Sequence, residues 1–226
     1  MNQEKIWDYF QNRRTEAFSG SLARLSFLAQ YIRNNKVLNI GVGDGTFERE
    51  AIQLGADVHS LDPNESAIQR VRLELQLGEK ARVGCVDSID FPDKSFDAVV
   101  VSEVIEHLDS ETLQRGLIEI KRVLREEGTL IGTVPFQENL SQQMCICPHC
   151  GIQFHRWGHL QSFTKVRLQE ILASHFAIDS VSEKLFITWK DLNWKGKVAG
   201  VAKKMLFHLG IHGYDESLCF IARKPG

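Results

Sequence analysis

The sequence predicts a doubly wound α/β fold, a parallel sheet with helices on both faces, and three observations carry that prediction. Short runs rich in β-branched residues alternate with helical stretches along the chain. The first run empties into a glycine loop, VLNIGVGDG, and the next two each close on an aspartate, in SLD and CVD. Strands that alternate with helices pair in parallel through right-handed crossovers, so their carboxyl ends share one edge, where ligands collect.

Ile6 and Phe10, then Leu22, Leu25, Phe27, Leu28 and Ile32, recur at helical spacing, which makes residues 1–34 a helical cap over the entrance to the core. Residues 35–226 read as one main domain. KVLNI, ADVHSLD, ARVGCVD, FDAVVVSEV and GTLIGTVP are its first five strands, with helices over 64–77 and 111–125 between them. A stretch crowded with cysteine and histidine, about 139–163, then interrupts the alternation. Beyond it TKVRLQEILASHF reads as a helix, AIDSVSEKLFIT as a strand, NWKGKVAGVAKKMLFHLG as an amphipathic lid helix over about 193–210, and ESLCFIARK as a final strand.

Composition narrows the classes of function. With 43% apolar residues among 226, the chain can bury one large core. Its 27 basic and 29 acidic residues give a net charge of -2, without the basic excess that counterion release rewards in a general nucleic-acid binder. The N-terminal stretch MNQEKIWDYFQNRR has no apolar leader region, and no run approaches the roughly 20 uncharged residues of a bilayer span, so the expectation is a cytoplasmic protein. Five cysteines, three of them within 145–150, do not form a secretory disulfide framework; metal ligation or plain burial suits a reducing compartment better.

Gly41, Gly43 and Gly45 let the backbone turn tightly and approach a ligand ahead of a helix N-terminus. Asp62 lies 21 residues beyond Gly41, near the roughly 20 expected of a carboxylate that accepts both ribose hydroxyls of a nucleotide cofactor. Asp87 closes the third run; followed by Ser88 and Ile89, it can take an adenine amino group while Ile89 covers the ring.

The ordered set VLNIGVGDG, SLD, CVDSIDFPDKSFDAVVVSEVIEHL and KRVLREEGTLIGTVP, over about residues 35–136, resembles the class I S-adenosylmethionine-dependent methyltransferases. The resemblance implies a Rossmann-like, mostly parallel seven-stranded sheet whose last strand is antiparallel. It also implies S-adenosyl-L-methionine as cofactor, with Gly41, Gly43 and Gly45 at its methionine end, Asp62 on the ribose, and Asp87, Ser88 and Ile89 at the adenine. Asn39 departs from the family by standing where an acidic residue is common, and Val42 where a small residue or cysteine is usual. A dehydrogenase is the rival at the level of fold; against it, GVGDGTF lacks the third glycine of G-x-G-x-x-G.

After FDAVVVS come Glu103, Val104, Ile105, Glu106, His107 and Leu108. On a helix, Glu103, Glu106 and His107 would share one face while Val104, Ile105 and Leu108 pack inward. Methylation of an oxygen requires loss of the hydroxyl proton, which His107 as a general base or a divalent metal held by Glu103, Glu106 and His107 would promote. The metal version resembles small-RNA terminal ribose methyltransferases and some ubiquinone-pathway methyltransferases. A purely structural role for SEVIEHL is the third reading.

CPHCGIQFHRWGH spells C-x2-C-x4-H-x3-H through Cys147, Cys150, His155 and His159, a tetrahedral zinc set with knuckle-like spacing; Cys145 and His149 are spare candidates. A metal-free loop packed through Phe154 and Trp157, and a redox C-x-x-C, are the other readings. Since the stretch follows strand five, zinc here would shape a lid over the acceptor. Alternatively His155 or His159 faces Glu103, Glu106 and His107, and the two arrangements compete for the same imidazoles.

In the lid helix Lys195, Lys197, Lys203 and Lys204 stand against Val198, Val201, Ala202, Met205, Leu206 and Leu209, so a buried apolar face and peripheral membrane contact are both open. The expectation is a methyltransferase with a zinc-shaped lid that O-methylates a small polar acceptor such as a sugar or nucleotide sugar. A ribose 2'-O-methyltransferase acting on RNA ends and a non-catalytic cofactor-binding scaffold are the alternatives.

Overall fold

The alternation of strands and helices reappears in the computed structural model, which describes residues 5, 6, 9, 21–211, 213 and 216–226. Helix α1 spans Leu22–Ala29, and half of the cap expected over residues 1–34, Phe10 included, lies outside the described residues. There follow β1 (Lys36–Ile40), α2 (Thr46–Gln53), β2 (Asp57–Asp62), α3 (Glu65–Glu74), β3 (Ala81–Val83), β4 (Phe96–Ser102), α4 (Ser110–Val123) and β5 (Leu124–Pro135). The Cys/His stretch contributes β6 (Met144–Ile146) and β7 (Gln153–His155), and the chain continues through α5 (Lys165–Ala173), β8 (Ala177–Leu185), α6 (Trp194–His208) and β9 (Glu216–Arg223).

Seven strands form one sheet in the order β3-β2-β1-β4-β5-β9-β8, and β9 runs antiparallel to both its neighbours. This is the mostly parallel, last-strand-inverted sheet that the family resemblance implies. Its central strands read as unbroken apolar runs because helices cover both faces. On one face Leu28, Ile32, Phe47 and Ala51 meet Val37, Val58 and Val100; on the other Leu113, Leu117, Ile120, Leu168 and Leu172 meet Leu38, Val99 and Leu130. Gly132 sits mid-sheet where a Cβ would lie 2.2 Å from the Val101 carbonyl oxygen and 2.4 Å from the Phe220 ring, so β5 and β9 pack at this distance only around glycine.

Helix starts follow side-chain caps. Asn64 accepts from the Ala67 N–H at 2.9 Å, Asp109 from Thr112 at 2.8 Å and Asn193 from Gly196 at 2.9 Å, each satisfying a donor that the first helical turn leaves open. Two local expectations change. The third strand stops at Val83 and leaves Cys85 to Asp87 in a turn, and the Cys/His stretch is a short antiparallel hairpin, β6–β7, whose stems meet where Phe136 bridges buried Phe163.

Candidate active site

At the cofactor end the backbone makes the site. Gly41, Gly43 and Gly45 hold φ of 88°, 56° and 80°, left-handed values that glycine adopts without strain, and a Cβ on Gly41 would lie 2.6 Å from Val104 Cγ2. Gly41 donates to the Leu61 carbonyl at 2.9 Å, and the Gly43 and Asp44 carbonyls are gripped by Arg70 and Arg49. Asp62 is only 1% exposed; its carboxylate accepts from the Val42 N–H and the Asn64 N–H, both at 2.8 Å. It therefore ties the glycine loop to the end of β2.

Asp87 lies in the turn after β3 and pairs with Arg115 Nη2 at 3.0 Å. Along α4, Glu119 accepts from the Ile89 N–H at 2.9 Å and Arg122 donates to the Ile89 carbonyl at 2.7 Å, so one helix face clamps the whole turn. Ser88 is exposed, whereas Ile89 is 3% exposed and packed into the main core. Ile89 is thus a core side chain held at the floor of this turn, next to the exposed Ser88.

Beside Asn39 a carboxylate arrives from α2. Asn39 Nδ2 donates to Glu48 Oε1 at 2.8 Å, Ser60 Oγ donates to the same oxygen at 2.9 Å, and Glu48 Oε2 has no hydrogen-bond partner. Burial pushes the Glu48 carboxyl up to about 7, opposed by the Asn39 hydrogen bond.

At the acceptor end the geometry departs from a helix. Glu103 has φ of 56° and ends β4, and Ile105–His107 form a single 3-10 turn, so Glu103 does not share a helical face with Glu106 and His107. Ile105 is buried, with Val104 and Leu108 packed against the core, as the apolar pattern required. Glu106 is 0% exposed and neither carboxylate oxygen has a hydrogen-bond partner; burial first, then the Glu103 and Glu138 charges, push its carboxyl well above the usual range. His107 lies beside it, its Nδ1 3.3 Å from the Gly158 carbonyl oxygen, and burial with the neighbouring His159 lowers its pKa to about 3.

The lid folds onto this turn. Leu160 and Gln161 N–H groups both reach the Glu106 carbonyl, at 2.8 and 3.1 Å. The His159 ring meets His107 edge-on at 4.7 Å and stacks on His155 at 4.7 Å, while its Nδ1 bonds Glu138. His155 Nε2 lies 3.4 Å from Glu138 Oε1 but lacks hydrogen-bond geometry. Among the described residues, two groups bring three metal-capable ligand atoms within 4.8 Å of one another: Glu106, His107 and His159, and Glu138, His155 and His159.

Neither group includes a cysteine, so the set Cys147, Cys150, His155 and His159 does not assemble. The hairpin register explains this. His155 pairs with Met144, and Cys147 stands three residues further along the ribbon, about 10 Å away at strand spacing. Cys147 and Cys150 form a tight turn at the tip, where N–H groups of Cys150 and His149 lower the Cys147 thiol; Cys145 and Cys150 are exposed. Of the two arrangements that compete for the imidazoles, the structure builds the one facing Glu106 and His107.

A cavity of about 1180 Å³ opens beside the lid, with Arg24, Glu103, Glu138, Trp157, His159 and Lys203 among its walls. Arg24 Nε donates to Ser102 Oγ at 3.1 Å, holding the cap against the end of β4. Glu138, Glu48 and Arg24 are the residues that sequence reasoning missed. The only available signal was the place of Glu138, three residues beyond strand five.

Residues 38–132 match a family model described as a methyltransferase domain. An uncharacterized methyltransferase of Mycobacterium bovis is 32% identical over 95 residues, which cover 42% of this chain and 37% of that protein. A ubiquinone biosynthesis O-methyltransferase of Bradyrhizobium diazoefficiens is 37% identical over 76 residues, 32% of this chain and 30% of that protein. The matched segments therefore span only about a third of the length of these relatives. A crystal structure of the Burkholderia thailandensis 1,6-didemethyltoxoflavin-N1-methyltransferase, with bound 1,6-didemethyltoxoflavin and S-adenosylhomocysteine, has a similar fold: TM-score 0.67 at 18% identity, over 99% of this chain and 87% of that one.

Proposed function

We propose that residues 38–132, which match a methyltransferase domain, work as a class I methyltransferase and that the protein transfers the methyl group of S-adenosylmethionine to a hydroxyl oxygen of a small polar acceptor, such as a sugar or nucleotide sugar. In this reading Gly41, Gly43 and Gly45 receive the methionine end, Asp62 the ribose, and Asp87 with Ser88 the adenine edge. The ubiquinone-pathway relative, an O-methyltransferase by name, favours oxygen as the nucleophile.

The observation that carries the acceptor half is the Glu106 carboxylate, fully buried and without a hydrogen-bond partner beside two imidazoles, with the lid's His159 exposed to the cavity. A buried carboxylate that stays unpaired is costly, and a divalent cation is the partner its surroundings fit. Two imidazoles and one carboxylate suit manganese, iron or zinc better than magnesium. When bound, such an ion supplies Lewis acidity toward an acceptor hydroxyl.

The chain's own groups divide the remaining tasks. Glu106, His107 and His159 hold the ion. His107, set back from the cavity wall and held by the Gly158 carbonyl, is a ligand rather than the general base. Glu138, on the wall and bonded to His159, is placed to take the acceptor proton as the oxygen attacks the sulfonium methyl carbon. Arg24 and Lys203 stand on the cavity wall among the carboxylates Glu103, Glu138, Asp191 and Glu216, so the wall offers an acceptor both cationic and acidic hydrogen-bonding groups.

Calorimetry with metal-stripped protein tests the first step: one manganese or zinc site is expected per chain, lost in His159→Ala. Methyl transfer from labelled donor to a panel of sugars and nucleotide sugars should then require the metal and fall about 100-fold or more in Glu138→Ala. No binding of the donor would sink the methyltransferase reading, and transfer to nitrogen acceptors alone would sink the hydroxyl reading.

A further inference from the structure

Helix α6 is turned inside out relative to the buried lid helix that its sequence also allowed. Trp194, Val198, Val201, Met205 and Leu209 recur at spacings of three and four, so they form one stripe along the helix. All five are between 51% and 75% exposed. Fifteen residues at 1.5 Å each make the stripe about 22 Å long. The side turned to the protein is small instead: Gly200 is the buried residue of α6, and a Cβ there would meet the Trp189 ring at 3.2 Å.

Charge borders the stripe. Lys195 flanks it on one side, with Nζ 5.7 Å from the Trp194 ring centroid, and Lys197 and Lys204 flank it on the other. The helix carries four lysines and no acidic residue. An apolar stripe between rows of lysine, led by an exposed tryptophan, matches an anionic lipid surface: the stripe enters the acyl boundary while the ammonium groups stay among the phosphates. The same chemistry disfavours a second copy of this chain, because two such faces would bring lysine against lysine. Among the described residues no helix is long and apolar enough to cross a membrane, so the contact is one of lying on the surface.

We propose that α6 docks the protein on anionic membrane surfaces, with the stripe Trp194, Val198, Val201, Met205 and Leu209 as the inserted face. Gly196, Ala199, Gly200 and Lys203 of the same helix line the acceptor cavity, so docking brings the cavity mouth to the level of the lipid headgroups. The proposal stands independently of the methyl-transfer reading, since it is read from lipid binding and not from turnover.

The full chain is sedimented with vesicles of phosphatidylcholine alone and with vesicles rich in phosphatidylglycerol, at low salt. Binding to the anionic vesicles is expected to exceed that to neutral ones by at least about tenfold, and each of Lys197→Glu and Lys204→Glu to weaken it about fivefold or more. The double variant Val201→Glu/Met205→Glu, at exposed positions, should lose vesicle binding and keep the parent melting temperature. Tryptophan emission should shift to the blue on binding in the parent and not in Trp194→Phe. Equal sedimentation of parent and double variant, or none with anionic vesicles, overturns the proposal; so does a dimer in sedimentation equilibrium that the double variant dissolves, which would assign the face to a second copy.

Discussion

The two halves of the carboxyl-terminal rim are built in different ways. At β1 to β3 each polar group sits within a few residues of a strand end and is held by backbone or by the helix beside it: Asp62 by two N–H groups, Asp87 and its turn by α4. At β4 and β5 the groups come from the cap, the turn after β4, the segment after β5 and the lid, and they gather around Glu106, whose buried carboxylate has no hydrogen-bond partner. In the first half the strand-end aspartates Asp62 and Asp87 both have their partners. The second half stores electrostatic cost that a cation would relieve, which separates a binding surface from a reacting centre.

Substitutions can break that contrast, and the largest effect is expected in the first half. Gly41→Ala puts a Cβ against Val104 at a left-handed φ, and should cost about 3 kcal/mol of stability in chemical denaturation together with donor binding. A similar magnitude attaches to pH at Glu48. Its folded pKa, about 7, is raised above the ordinary 4.5, so the folded state holds a proton that the unfolded state has released. The stability linked to that proton is fully present below pH 4.5 and is lost as pH rises through about 7, on the order of 3 kcal/mol in all. Glu48→Gln should flatten that slope, seen in urea midpoints between pH 5 and 8.

The second half should respond in the opposite sense. Glu106→Gln removes a buried carboxyl that folding must protonate at neutral pH, so metal-free protein is expected to gain about 1 kcal/mol while metal uptake by calorimetry disappears. A loss of stability with intact metal binding would erase the distinction between the halves. The smallest effect belongs to the hairpin tip: Cys147→Ser with Cys150→Ser should change stability by less than about 0.5 kcal/mol and leave the metal content untouched, measured by melting and elemental analysis.

The tip and the base of that hairpin also show where reading a sequence runs out. Ligand spacing in CPHCGIQFHRWGH satisfied a zinc rule, yet strand register placed the thiols at one end and the imidazoles at the other. Nothing local reveals that Glu138 arrives beside both histidines, because the pairing depends on how the segment after β5 returns through the Phe136–Phe163 bridge. The turn after β4 is similar: SEVIEHL has helical spacing, and the left-handed backbone at Glu103, a non-glycine residue, overrides it.

The sequence by itself determined the doubly wound sheet, its glycine loop, and the positions of Asp62 and Asp87, because periodicity, glycine and strand-end carboxylates act over a few residues of chain. Tertiary structure alone decided that buried Glu48 accepts from Asn39, that His159 of the lid turns to Glu106 and His107, and that α6 shows its apolar stripe to solvent. Each of these depends on which distant side chain fills the neighbouring space, and burial converts that neighbour into the energy that settles the charge, the ligand set or the exposed face.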